Sequence, residues 1–286
     1  MKTLLVVTAI FLFPILAFGQ GFRALNRQVQ QGDVLVFRIA PQWQGPQVSI
    51  SVFGKHYLPN KYGDVYIGID KNIAPGKHIA ILVEYGRGVR LSWDYEEIEV
   101  LENNFPARRR VPGKPRSPGE TRIIEEAYSR GNRSEKYIDG NFVMPLDKVV
   151  IDENKDVGDT FSPFGGESHR GVDLITLDPR TGRYQRPVKA INSGRVVLAR
   201  KLSLEGNLII IDHGSGIFSL YMHLSVFGVK QGEFVKTGQV IGISGRTGRV
   251  TGPHLHFGIR VGDPADHLKF PVVDPLVFIE TMNRIF

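Results

Sequence analysis

The chain has 286 residues, 42% of them hydrophobic, 10% aromatic and 23% charged, a composition that excludes wholesale disorder and leaves room for two domains of about 100–200 residues each. Its formal charge of +7 suits attraction to an anionic polymer or membrane surface, or plain solubility; the densest basic run, Arg108-Arg109-Arg110 through Lys114 and Arg116, lies among prolines without interleaved aromatics, which argues against nucleic acid. There is no Cys, so disulfides and a lipidated N-terminal cysteine are excluded, and any metal must be held by His and carboxylates.

Taken in chain order, Lys2 precedes an apolar run from Leu4 to Phe18, and Ala17-Phe18-Gly19 offers the small residues of a signal-peptidase site. Residues 1–19 are therefore predicted to be a signal peptide, with the mature chain starting at Gln20. The run is short for a span of about 20 residues, so no stable membrane span is expected after cleavage. An exported product in the periplasm or cell envelope follows. Without Lys2 the charge becomes 36 − 1 − 29 = +6.

The 32 Gly and 17 Pro are scattered, which favours many short strands with tight turns and an all-β fold. In Val48-Ser49-Ile50-Ser51-Val52, apolar and polar residues alternate, as on a strand with one face on a core and one in water. Similar runs occupy 34–39, 65–69, 79–83 and 98–101, so residues 20–105 read as an immunoglobulin-like β-sandwich lacking the Cys and Trp hallmark. His56 and His78 stand alone there and read as structural or surface residues. Residues 106–139 read as a basic Pro/Gly-rich linker and a short helix: Ser117 caps it, Pro118 suits its first turn, Glu120 completes a capping box, and Gly131 stops it. From 140 to 286 the pattern is again strand-like, with runs at 195–199, 208–211, 218–222, 239–243 and 254–259, as in compact antiparallel sheets.

Four of the eight histidines fall in segments with a design of their own. In His169-Arg170-Gly171-Val172-Asp173, ligand types at an even separation face one side of an extended segment. Asp173 then enters the apolar Leu174-Ile175, which is costly unless the carboxylate is paired or metal-bound. In Gly252-Pro253-His254-Leu255-His256-Phe257, a period of two sets both imidazoles on one strand face and Leu255 and Phe257 on the other. Tyr221-Met222-His223-Leu224 ends an apolar strand with one more imidazole, which alone reads as a core histidine. His213, in Asp212-His213-Gly214-Ser215-Gly216, reads as part of a hairpin turn, and His267 has no chemical neighbour.

Together, H-x-x-x-D, Y-x-H-L and H-x-H, in that order within a glycine framework that includes Gly238 to Gly242 and Thr247-Gly248, resemble the lysostaphin-type (LytM-type) peptidoglycan endopeptidases over roughly residues 160–278. The resemblance implies a C-terminal antiparallel β-sheet peptidase domain over 140–286, like the duplicated hybrid motif. It implies zinc ligands at His169, Asp173 and His256, and unliganded catalytic imidazoles at His223 and His254. Two His and a carboxylate leave a fourth tetrahedral position for water, as catalytic zinc sites require. Which imidazole takes the proton stays open. The sequence departs from the family at Phe164 to Ser168, where relatives carry a longer stretch, and at Ile175 to Arg186, which is longer than the usual turn; both bear on specificity. The implied function is a zinc metalloendopeptidase cutting peptidoglycan cross-links or stems, with room for an activating protein in the envelope. The alternative is a non-catalytic murein-binding activator, which missing ligands would mark; all five positions are present.

Overall fold

The computed structural model describes residues 21–86, 89–105, 116–148, 169–177, 181–262 and 271–286. The expected signal peptide, the basic run from Arg108 to Lys114, the departure at Phe164 to Ser168, Asp178 to Arg180 and His267 lie outside the described residues. Among those described, no helix is long and apolar enough to cross a membrane.

The fold is mostly β. The first half carries β1 (Phe22–Ala24), β2 (Gln28–Gln30), β3 (Val34–Ile39), β4 (Val48–Val52), β5 (Lys55–Tyr57), β6 (Asp64–Gly68), β7 (Gly76–Gly86) and β8 (Val89–Leu101). They form a three-stranded sheet, β1-β3-β6, and a five-stranded sheet, β2-β8-β7-β4-β5. The two enclose one core, in which Leu35, Phe37 and Ile39 of β3 meet Ile50, Leu82 and Ile98 of the other sheet.

β3 is apolar at nearly every position because both of its faces are buried. Its alternate residues Val34 and Val36, with Tyr66 of β6, join the core of the C-terminal half instead. The three-stranded sheet is thus a wall between two cores. Polar contacts pin it: Asn60 Nδ2 donates to Ser215 Oγ at 2.9 Å, Lys136 Nζ to Asp64 Oδ2 at 2.9 Å and Thr281 Oγ1 to Asp33 Oδ2 at 3.2 Å. At Gly68 a Cβ would lie 2.8 Å from Pro271 Cβ and from the Val261 carbonyl, so the wall reaches this close only because a glycine stands there.

After the wall comes α1 (Pro118–Ser129), which begins as predicted: Ser117 Oγ accepts the Glu120 amide and Pro118 opens the first turn. The C-terminal half then contains β9 (Val172–Ile175), β10 (Pro187–Lys189), β11 (Gly194–Leu202), β12 (Gly206–Asp212), β13 (Ile217–Leu224), β14 (Val226–Phe227), β15 (Phe234–Val235), β16 (Val240–Ile243), β17 (His254–Val261) and β18 (Val272–Val273). Seven of these form one antiparallel sheet, β15-β11-β12-β13-β17-β18, with β9 also pairing with β17. β10, β16 and β14 form a small second sheet.

A last helix, α2 (Pro275–Ile285), corrects the reading of this half as strands throughout. Its signals are present in the sequence: Asp274 caps Leu276 and Val277 and Pro275 fills the first helical position.

The large sheet has two different faces. Leu255, Phe257, Ile259 and Val261 of β17, with Tyr221 of β13, point to the main core under α2. Phe218 and Leu220 of β13 point the other way and pack with Leu208 and Ile210 against Ile124, Ala127 and Tyr128 of α1. Tyr128 meets Phe218 edge-on, with ring centroids 5.2 Å apart. Burying each such large side chain stabilises the docked helix by roughly 1.5–3 kcal/mol. His254, His256, Gly258 and Arg260 lie on this second face, because β17 alternates.

Candidate metal centre

β9 and β17 create the centre by pairing. Their register sets Asp173 directly opposite His256, and both belong to the face away from the main core. His169 arrives from the segment before β9. At Gly171, between them, a Cβ would lie 2.4 Å from the Phe257 carbonyl oxygen and 2.8 Å from His256 Nε2, so the chain turns onto β17 only with glycine at this position. His169 and Asp173 therefore meet through a bend at Gly171, and not by the even spacing of a continuous strand, since β9 starts only at Val172.

Three donor atoms converge. His169 Nε2 lies 2.9 Å from Asp173 Oδ1 and 2.9 Å from His256 Nδ1, and His256 Nδ1 lies 2.8 Å from Asp173 Oδ1. All three residues are buried, none more than 9% exposed. Burial alone would raise the Asp173 pKa, but hydrogen bonds and charge from His169 and His256 outweigh it and hold the carboxylate well below its usual range. Burial pushes His256 down, against the pull of Asp173. One carboxylate and two imidazoles aimed at a single point form a donor set that fits a divalent metal.

Two further imidazoles flank the cluster. The His223 and His254 ring centroids are 4.8 Å apart, and His223 lies 6.2 Å from His256. His254 Nδ1 donates to the Gly252 carbonyl at 3.0 Å and His223 Nδ1 to the Thr247 carbonyl at 2.9 Å. A carbonyl only accepts, so each neutral ring carries its proton on Nδ1 and leaves Nε2 as a lone-pair acceptor. His254 Nε2 is 3.6 Å from Asp173 Oδ1. Burial, then the charges of His256 and His254, lower the His223 pKa to about 3, which keeps it neutral.

Strict alternation along β13 would turn His223 toward the core with Tyr221. Its φ of 64°, a left-handed conformation rare outside glycine, breaks the alternation and swings the ring to the face of His254. The cost of such a residue, of order 1–3 kcal/mol, is offset by local bonds: the His223 amide donates to the Glu205 carbonyl at 2.9 Å, and Thr247 Oγ1 to the Leu224 carbonyl at 2.7 Å. Glu205 and Thr247 carried no mark of this work in the sequence. Arg116 ties in as well, since its Nε donates to Glu205 Oε1 at 2.8 Å.

The other histidines among the described residues stay apart from the cluster. His56 sits beside Ser49 Oγ and the Tyr85 hydroxyl, and His78 Nε2 donates to the Ala74 carbonyl at 2.7 Å. His213 is fully buried: its Nδ1 donates to the Ser193 carbonyl at 2.9 Å and its Nε2 meets Ser219 Oγ at 2.8 Å. The neutral ring's Nε2 accepts the Ser219 hydroxyl proton, and Ser219 Oγ in turn accepts from the Tyr221 hydroxyl at 3.0 Å, so His213 knits the core. Burial lowers its pKa from 6.5 to about 4. The neutral ring therefore contributes stability that is complete above pH 6.5 and is lost as pH falls toward 4, about 3 kcal/mol over the window. Urea midpoints at pH 7 and pH 4.5 should show the native chain losing stability more steeply than His213→Gln; parallel losses would place the ring in a solvated setting.

The family model for peptidase family M23 matches residues 167–267. The peptidoglycan DD-endopeptidase ShyB of Vibrio cholerae is 40% identical over 102 residues, 35% of this chain and 22% of that protein. Lysostaphin of Staphylococcus simulans is 39% identical over 118 residues, 41% of this chain and 22% of that protein. The chain thus spans less than a quarter of the length of these two relatives. A solved structure from Pseudomonas aeruginosa assigned to peptidase M23 superposes over 89% of this chain and 96% of its own, with TM-score 0.56 and 26% identity.

Proposed function

We propose that this chain, whose residues 167–267 belong to the metallopeptidase family M23, is an exported zinc endopeptidase that hydrolyses peptide cross-links or stems of peptidoglycan. One observation carries the reading: His169 Nε2, Asp173 Oδ1 and His256 Nδ1 meet within 2.9 Å of one another, with two more imidazoles beside them. Relatives named as peptidoglycan endopeptidases supply the substrate class.

His169, Asp173 and His256 would hold the metal as two neutral nitrogen donors and one carboxylate. Bound zinc supplies a Lewis acid and a water acidified to a pKa of about 7. The chain's own residues do the rest. His254 and His223 each present an Nε2 lone pair, which accepts the proton of the attacking water, and either ring, once protonated there, donates a hydrogen bond to the oxyanion developing on the scissile carbonyl. The carbonyls of Gly252 and Thr247 fix the tautomer that allows this. Buried Asp173 stays ionised and orients both ligand histidines.

The test uses protein recovered from the envelope. Its mass reads where the mature chain starts, expected at Gln20, and the same preparation is incubated with zinc and intact murein. Fragments identified by mass should include muropeptides cut within the peptide, whereas casein stays intact. Binding of murein without release of fragments would make the chain the non-catalytic module instead.

A further inference from the structure

His223 is held from outside its own strand. Its left-handed backbone, with φ at 64°, is not a conformation that a histidine keeps unaided, and bonds from two loops maintain it. Its amide donates to the Glu205 carbonyl at 2.9 Å and its carbonyl accepts the Thr247 amide at 3.4 Å, while its ring Nδ1 donates to the Thr247 carbonyl at 2.9 Å.

Those two loops move as one. In the β11–β12 turn the Leu204 carbonyl accepts the Arg249 amide at 3.0 Å, and just beyond it the Asn207 amide donates to Thr247 Oγ1 at 2.9 Å. A shift of the turn therefore carries Thr247 and the imidazole with it.

The segment that joins the two halves of the chain grips this turn. Arg116 Nε donates to Glu205 Oε1 at 2.8 Å, and its Nη2 reaches the same oxygen. The Glu205 side chain is only 1% exposed, so water and salt screen the pair little. Glu120, in the first turn of α1, accepts both the Ser203 amide at 2.6 Å and the Ser203 hydroxyl at 2.5 Å. Leu202 packs in one cluster with Ile124, Ala127 and Tyr128 of α1. Arg116 and α1 lie before the residues 167–267 that the family model matches, so the grip comes from outside the strands that carry the site.

We propose that Arg116, Glu120 and Glu205 are positioning residues for the His223 imidazole, so that α1 and the residue before its cap brace the reaction at the metal centre. The proposal rests on the hydrolase reading above for the reaction, but the brace itself concerns where one ring stands. An imidazole that exchanges a proton at Nε2 acts over hydrogen-bond reach, and a displacement of about 1 Å costs as much as about 10²-fold in rate. Loosening the turn slows the chemical step and leaves substrate binding and metal alone.

The zinc-loaded full chain tests it, with Glu205→Ala, Glu205→Gln and the milder Glu120→Ala. On a soluble cross-linked muropeptide, kcat should fall about tenfold in Glu205→Ala and less in Glu120→Ala, with KM and zinc per chain unchanged. Glu205→Gln, which keeps an acceptor for Arg116, should recover most of the loss. In a His223→Ala background the same changes should cost nothing further, since a residue that acts through the ring has no effect once the ring is gone. The His223 Nδ1–H resonance, read by NMR without substrate, should be displaced in both alanine variants. If Glu205→Ala does not fold, Glu120→Ala carries the same comparison. An unmoved resonance or an unchanged kcat in the alanine variants overturns the brace, as does an equal fractional loss with and without His223, the mark of a general loosening of the fold. A displaced resonance in a chain that cuts no murein would keep the brace and remove the hydrolase reading; murein cut by the native chain, with the resonance unmoved in the variants, would do the reverse.

Discussion

His256→Ala is expected to abolish both metal binding and murein hydrolysis, and His169→Ala and Asp173→Ala should do the same. The three donor atoms lie within 2.9 Å of one another, so each replacement removes one of the three proposed ligands found among the described residues from a buried point. Two ligands do not hold a catalytic zinc against solvent in this arrangement. Asp173→Asn sharpens the test. It keeps the size and an acceptor oxygen but removes the charge that the two imidazoles hold ionised, so metal affinity should fall steeply with little change in fold. Metal per chain by elemental analysis, with digestion on the same preparations, reads both effects. Full metal content in His169→Ala or Asp173→Ala would remove that residue from the ligand set.

The metal in turn bears on stability, because anything that binds only the folded chain stabilises it by mass action. β9 is four residues long and, among the described residues, pairs only with β17. Its hold on the sheet therefore depends on Val172 and Leu174 in the core and on whatever joins Asp173 to His256.

How far the sequence foretold this depended on whether the information was local. Alternation in β4 and in His254-Leu255-His256-Phe257 is a property of neighbouring residues, and the strands lie where the period of two puts them. The capping of α1 is equally local. By contrast, β3 reads as one buried strand, but that its two faces serve different cores is a fact of domain packing. The meeting of Asp173 with His256 joins residues 83 apart in the chain; only the family resemblance pointed to it, and the even spacing of His169 and Asp173 gave a wrong reason for it. His223 is the clearest case. Its period assigns it to the core, and its positive φ, which nothing in Tyr221-Met222-His223-Leu224 announces, brings it to the site. α2 does not stand out in the sequence although Asp274-Pro275 marks its start, because its apolar residues continue the short runs of the strands before it.

The last expectation separates catalysts from ligands. His254 and His256 are two residues apart on one face of β17, yet equal substitutions should have unequal consequences. His254→Ala and His223→Ala should retain metal near one per chain, since among the described residues the converging donors belong to His169, Asp173 and His256. Hydrolysis should slow by about 10² to 10⁴, the usual worth of a positioned acid or base. Stability should change little, because each of these rings bonds to a loop carbonyl, of Gly252 or of Thr247, and the strand pairing does not depend on it. His223→Ala has a further reading: with the left-handed backbone still held by the Glu205 carbonyl, the loss reports the imidazole and not a collapse of the strand. If metal is lost from His254→Ala but kept in His256→Ala, the two roles within the pair are exchanged, and the convergence at His256 Nδ1 is a hydrogen-bonded cluster of the core.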